Sequence, residues 1–275
     1  MSVAALLLSD SRFPAGGHAH SGGVEPAVTA GTVADLDSLE AFLRGRLRTA
    51  GLVAAGIAAA ACARSAGERR AGDRNAASAV HDAARKRAAA GERRAGDGDP
   101  GREDWDQRFV TSDGFDFWGE IEAEADARTP SPAQRGASRR QGRALLRAAR
   151  IVWQEDRGLA DLADFTAANG AGGPHHAVVL GAAAAAAGCD AAAAARIAAY
   201  QSVAGPASAA VRLLALDPMR AAAVVARLAR DVDQIAARAA AAADGPLGEL
   251  PCPSAPALDL LAEAHIRAEV RLFES

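Results

Sequence analysis

Leu36, Leu39, Leu43 and Leu47 recur at three- and four-residue intervals and run on into LVAAGIAAAACA, a pattern that predicts a long helix ending near residue 63. Asp37 followed three residues later by Glu40 has the form of a capping box at its start. Ser131-Pro132, an N-cap residue and a proline at the first helical position, opens another helix running to about residue 155. On it Ser138, Gly142, Leu145, Ala149 and Val152 share one stripe, whose small members admit the close approach of another helix backbone; Arg139, Arg143 and Arg150 lie on the next stripe. Pro174 before HHAVVLGAAAAAA, Asp190 before AAAAARIAAY, and Asp217-Pro218 before Val225, Leu228, Val232 and Ile235 signal three more helices. The last segment places Leu258, Leu261, His265, Ala268 and Leu272 on one helical face with Arg267 and Arg271 beside it, a docked terminal helix. No stretch alternates as a strand does. The expected fold class is all-α, a single-domain helical bundle.

Two segments break this pattern. Between Ser9 and Glu25 the sequence SDSRFPAGGHAHSGGVE holds Pro14 and four glycines, Gly16, Gly17, Gly22 and Gly23, which impose irregular backbone at the start of a helical protein. Spacing alone leaves this segment either a loop covering the bundle or a loop that docks a partner. Residues 64–108 are dominated by Ala, Gly, Arg and Asp, and the octapeptide AGERRAGD begins at both Ala66 and Ala90. That is read as a low-complexity, mobile insertion. Its arginines alternate with acids, which favours a solvated linker over a basic arm.

Composition narrows the function. Half of the 275 residues are hydrophobic but only 4% are aromatic, so the core is built largely from alanine, an excellent helix former that buries little area. Such a thin core suggests a protein that draws part of its stability from partners. A net charge of -3 argues against nucleic acid as a partner. Cys62, Cys189 and Cys252 are odd in number, widely spaced and without a CxxC pair, which fits neither a disulfide framework nor a zinc ribbon and points to the cytoplasm. Helical burial accounts for Cys62 and Cys189. The amino terminus lacks a basic leader and the apolar run 52–63 is too short to span a bilayer, so no membrane role is expected.

Catalytic signatures are missing: there is no GxxxxGK[ST], no GxSxG elbow, no HExxH, and GGHAHSGG follows no apolar strand. The chain is not expected to be an enzyme. His18 and His20 form an HxH pair and His175 and His176 are adjacent; imidazole suits nickel, copper or zinc, which makes these four the candidate metal ligands. Neither pair supplies the three or four ligands of a stable site, and no tightly bound cofactor is expected. His265 on its apolar stripe reads as a core histidine.

Five ordered blocks resemble the urease accessory protein UreF family. Leu6-Leu7-Leu8-Ser9-Asp10-Ser11, Pro14-Ala15-Gly16-Gly17 and His20-Ser21-Gly22-Gly23-Val24-Glu25 form the first block. Next come Ser138-Arg139-Arg140-Gln141-Gly142-Arg143-Ala144-Leu145-Leu146 and Pro174-His175-His176-Ala177-Val178-Val179-Leu180-Gly181. Ser208-Ala209-Ala210-Val211-Arg212-Leu213 follows, then His265 with Arg271-Leu272-Phe273-Glu274-Ser275. The resemblance implies an all-helical homodimer that joins a UreD-type (UreH-type) accessory protein and a UreG-type GTPase on apo-urease, so that nickel, as cargo in transit, reaches the active site. It marks Pro14, Gly16, Gly17, His20, Ser21, Glu25, Ser138, Arg139, Gly142, Arg143, Arg212, His265, Arg267 and Arg271 as partner-binding. Alternatives are a metallochaperone that binds nickel directly, or a modulator of the partner GTPase in which Arg139 or Arg143 imitates an arginine finger. The sequence departs from the family pattern at Leu216-Asp217-Pro218, and Gly205-Pro206 is expected to interrupt the helix before it.

Overall fold

A computed structural model describes residues 3–10, 13, 20–67, 112–170, 172–269 and 271–273. Among these the fold is all-α, with no strand. Two short helices, α1 (Val3–Ser9) and α2 (Val24–Thr29), precede α3, a continuous helix over Leu36–Gly67 with a π-helical turn at Leu47–Gly51. Then follow α4 (Ser112–Ala127), α5 (Pro132–Val152), α6 (Arg157–Asn169), α7 (His176–Ala186), α8 (Ala191–Leu214), α9 (Pro218–Arg227), α10 (Ala229–Ala240) and α11 (Pro256–His265).

The expected helix starts hold where a side chain accepts from the first turn. Ser131 receives Gln134 N–H, Asp190 receives Ala193 N–H and Asp217 receives Met219 N–H. At α3 the cap differs from the expected Asp37–Glu40 pair. Asp35, extended at φ -150°, accepts from Ser38 N–H while the Ser38 hydroxyl oxygen accepts from Asp35 N–H. Glu40 is instead drawn sideways to Arg44 and Arg227, linking α3 to α9.

The helix α3 also outruns its expected end near residue 63, so residues 64–67 of the supposed insertion are helical and the rest of it lies outside the described residues. Taken whole, α3 passes a length-and-composition test for a membrane span that the run 52–63 alone fails, but 67% of its apolar window is buried within the fold, as a core helix requires.

Around α3 pack α7 and α8. Every residue of α7 from Ala177 to Ala185 is buried, a helix apolar on all sides and therefore enclosed on all sides. Small residues set the spacing: a Cβ at Gly181 would stand 2.4 Å from the Ala58 carbonyl oxygen of α3. At Gly142 of α5 the expected close approach is present, although its partner is the Pro174–His175 backbone leading into α7.

Two expectations about helix ends fail for identifiable reasons. Gly205-Pro206 does not interrupt α8, which runs unbroken through Ala191–Leu214. Proline at 206 lacks the N–H that would bond Ser202 O, and Arg46 Nε from α3 donates to that oxygen at 3.1 Å in its place. The terminal helix stops at His265, so Ala268 and Leu272 do not extend its face. The chain turns back over α2, drawn by the Glu25 carboxylate. Cys62 is buried in α3, whereas Cys189 lies in the α7–α8 turn, its carbonyl accepting from the Cys62 thiol at 3.5 Å.

Candidate functional site

The described part of the amino-terminal motif seats on the α3–α8 junction. Gly22 and Gly23 take left-handed backbone, φ +58° and +87°, a conformation that only glycine adopts without strain, and this swings the chain from His20 into α2. The contact is tight: a Cβ at Gly22 would lie 2.8 Å from Pro206 Cγ and 3.2 Å from Arg46 Cζ. Beneath this junction opens a cavity of about 670 Å³ whose walls include His20, Arg46, His176, Gln201 and Arg212. Pro14, Gly16, Gly17 and His18 lie outside the described residues.

The second expected cluster, on α5, is built into a polar network. His175, the residue before α7, stands at its N-cap, but its side chain makes no hydrogen bond to the first turn of the helix. Its N–H donates to Glu122 Oε1 at 2.8 Å and the next, His176 N–H, to Ser138 Oγ at 3.2 Å, so α4 and α5 cap α7 from outside. The ring of His175 stands 2.9 Å from Asp126 Oδ1 through Nε2 and 3.0 Å from Ser138 Oγ through Nδ1. Arg139 joins both acids, at 2.7 Å to Asp126 and 3.3 Å to Glu122, and donates to Gly173 O at 2.6 Å. Arg143, one turn on, is exposed.

Burial holds this network off ordinary titration. It raises the Glu122 carboxyl to about 7 against the pull of His175 N–H and Arg139. Burial lowers His175, with the Asp126 hydrogen bond opposing, and lowers His176 to about 4, helped by the charge of His20. The signs oppose one another. Below about pH 6.5 His176 takes up a proton in the unfolded chain but, until about 4, not in the folded one, and His175 is shifted in the same direction, so their contribution to stability falls as pH falls. Glu122 keeps its proton to about 7 when folded but loses it near 4.5 when unfolded, so its contribution falls as pH rises through that window. Between pH 4.5 and 6.5 the opposing contributions of Glu122 and His176 nearly cancel, so within this network the lowered His175 tips the slope toward loss on the acid side. Glu122→Gln is expected to steepen that slope by up to ~1.4 kcal/mol per pH unit in chemical denaturation, and an unchanged slope would show that Glu122 ionises normally.

A third group ties the two chain ends together. Glu25, buried on α2, accepts Leu272 N–H at 2.7 Å and Phe273 N–H at 2.9 Å. His265 Nε2 stands 3.3 Å from the same carboxylate and 3.2 Å from Phe273 O, and the Arg212 guanidinium lies 4.3 Å above the Phe273 ring. Glu25 and His265 thus face inward, while Arg212, Arg267 and Arg271 are exposed. Glu25→Ala is expected to release the carboxyl-terminal segment, seen as at least tenfold faster amide exchange at Leu272 and Phe273, since losing charge-assisted bonds costs ~1.5 kcal/mol or more.

Sequence reasoning missed Glu122, Asp126, Arg46 and Arg128. Arg128 is 4% exposed in its side chain; it pairs with Glu124 and donates to the carbonyls of Leu247, Gly248, Leu250 and Pro251, holding the segment before α11. Among the described residues no group of three or more His, Cys, Asp or Glu side chains stands ready for a metal ion. His20 and His176 share the cavity; His175 turns away to Asp126.

A sequence profile described as UreF matches residues 107–229. The chain is 42% identical over 278 aligned residues to the urease accessory protein UreF of Mycolicibacterium vanbaalenii, covering 98% of this chain and 97% of that protein. It is 41% identical over 270 residues to that of Mycobacterium sp. strain JLS, with 98% and 97% covered. With that of Mycobacterium tuberculosis strain H37Rv the identity is 38% over 275 residues, with 100% and 99% covered.

Proposed function

We propose, from the premise that this chain belongs to the UreF family of urease accessory proteins, that it is a non-catalytic cytoplasmic scaffold. As a homodimer it joins a UreD-type (UreH-type) accessory protein and a UreG-type GTPase on apo-urease and supports GTP-dependent insertion of nickel. The observation that carries this reading is the identity of about two residues in five, over at least 98% of the chain, with proteins named for that process. The geometry supports a division of labour among the marked residues. Ser138, Arg139, Gly142, Glu25 and His265 hold the framework, and the exposed Arg143, Arg212, Arg267 and Arg271 offer partner contacts. Leu272, 73% exposed between Arg271 and the clasp, adds apolar surface to the carboxyl-terminal pair.

Co-purification of the full chain with the UreD-type and UreG-type proteins of its own organism tests the scaffold. Capture of both, with urease activation that depends on this chain, is the expected result; failure to capture either sinks it. A second reading, direct nickel chaperoning, draws on the approach of His20 and His176 across one cavity. Equilibrium dialysis that retains no nickel at micromolar protein rejects that reading and leaves the scaffold standing.

A further inference from the structure

The helix α5 carries six arginines and no acidic residue in its 21 positions. Two of the six serve the fold: Arg135 donates to the Thr129 and Pro130 carbonyls, and Arg139 bridges Glu122 and Asp126. The other four, Arg140, Arg143, Arg147 and Arg150, are exposed. With Ile151 they fall within an arc of about 100° and along about 17 Å of the helix, a single ridge. Its carboxyl end is apolar, Ile151 being 74% exposed and Val152 beside it 46%. Among the described residues Arg143, Arg147 and Arg150 have neither a hydrogen bond nor an ion pair. Arg44, Arg196 and Arg227 on other helices, by contrast, each meet a carboxylate.

Like charges three and four residues apart on one helix repel, so the isolated chain carries this ridge at a small cost that a facing row of carboxylates reverses. The aliphatic stem of Arg143 lies over Gly173, which takes φ +100° and leaves no room for a Cβ beneath it, so the ridge is packed onto the α6–α7 connection. Guanidinium groups at three- and four-residue spacing match carboxylates at the same spacing on a second helix, edge to edge. The ridge has no aromatic side chain on which a base would stack, and the net charge of -3 opposes a nucleic-acid backbone. One isoleucine at its end is too narrow an apolar face to lie in a membrane surface. A twofold contact with a second copy would set ridge against ridge.

We infer that the Arg140–Ile151 ridge of α5 docks an acidic helix of one of the two accessory proteins, with an apolar residue of that helix covering Ile151. This rests on the assembly role proposed above and extends it beyond the family motif, because Arg147, Arg150 and Ile151 lie past the last matched residue, Leu146.

Binding of the full chain to the purified UreD-type and UreG-type proteins of its organism is measured in 50 and 300 mM salt. One of the two is expected to lose at least tenfold in affinity between these concentrations, as screening of exposed charges requires. Arg143→Glu/Arg147→Glu should weaken that same partner at least tenfold in 50 mM salt, since like charges then face across the contact, while its melt stays that of the parent. Ile151→Ser, which leaves the charges in place, should weaken it at both salt concentrations. The ridge is overturned, and the scaffold left standing, if both proteins bind the parent and the double variant equally, or if neither affinity responds to salt. It is overturned too if the parent chain binds phosphatidylserine vesicles or duplex DNA in 150 mM salt and the double variant does not. Failure of the parent chain to bind either accessory protein sinks the assembly role and this docking together.

Discussion

Gly142→Ala is expected to lower the melting midpoint by about 6–12 °C, the result of a loss of ~3 kcal/mol in a chain of this length. A Cβ there would lie 2.0 Å from the Pro174 carbonyl oxygen and 3.0 Å from the carbonyl carbons of Pro174 and His175. These are backbone atoms, and they are pinned: His175 N–H is held by Glu122 and the His175 ring by Asp126 and Ser138. A single methyl group therefore displaces the entry to α7 together with the network around Arg139. The ordinary gain in helix propensity, ~1 kcal/mol for replacing a mid-helix glycine, works in the opposite direction and is too small to compensate. Gly136 on the same helix provides the comparison. There a Cβ would meet only Arg140 Nη1 at 3.3 Å, the free end of a flexible side chain, so Gly136→Ala should be neutral or slightly stabilising. If the two alanine variants melt alike, the close passage of Pro174 past α5 is wrong.

The contrast between those glycines shows what periodicity conveys. Small residues on the stripe containing Ser138 and Gly142 signalled a close approach, because a 3.6-residue repeat reports which face is buried. It does not report what arrives there, and the visitor is a loop backbone 32 residues away. The same limit explains the polar network. Glu122 and Asp126 meet His175 across sequence separations of 53 and 49 residues, and no local pattern distinguishes these two acids from the neighbouring Glu120 and Glu124.

Errors at helix ends have a related origin. Asp35 and Asp37 are equally good caps in composition, and the choice falls to the residue whose backbone turns extended, where Ser38 can return the bond. Pro206 reads locally as a helix breaker, and only the arrival of Arg46 from α3 satisfies the carbonyl it orphans. At the carboxyl end, Glu25 competes with helix continuation by offering two carboxylate oxygens to consecutive amides. The family motifs were legible as residues, but their division into inward and outward members was not. His20-Ser21-Gly22-Gly23-Val24-Glu25 marks a segment, and three dimensions assign Glu25 to a buried clasp while His20 joins a cavity wall.

That division governs the second large effect. Arg139→Glu is expected to cost ~3–5 kcal/mol, the loss found when one member of a buried ion pair is removed, with a further penalty for placing a third carboxylate beside Glu122 and Asp126. At ~2–4 °C per kcal/mol the midpoint should fall by about 6–20 °C, and the variant should fail to assemble with the accessory proteins because its α4–α5–α7 corner no longer closes. Arg143 shares the motif but not the role. It is exposed, and Arg143→Glu should change stability by less than ~0.5 kcal/mol. Loss of partner capture by Arg143→Glu with an unchanged melt would place a contact at that position, whereas loss by Arg139→Glu with a lowered melt reports the framework alone. If Arg139→Glu melts like the parent chain, the Glu122–Arg139–Asp126 bridge does not hold α5 against α4, and Arg139 returns to the set of candidate partner contacts.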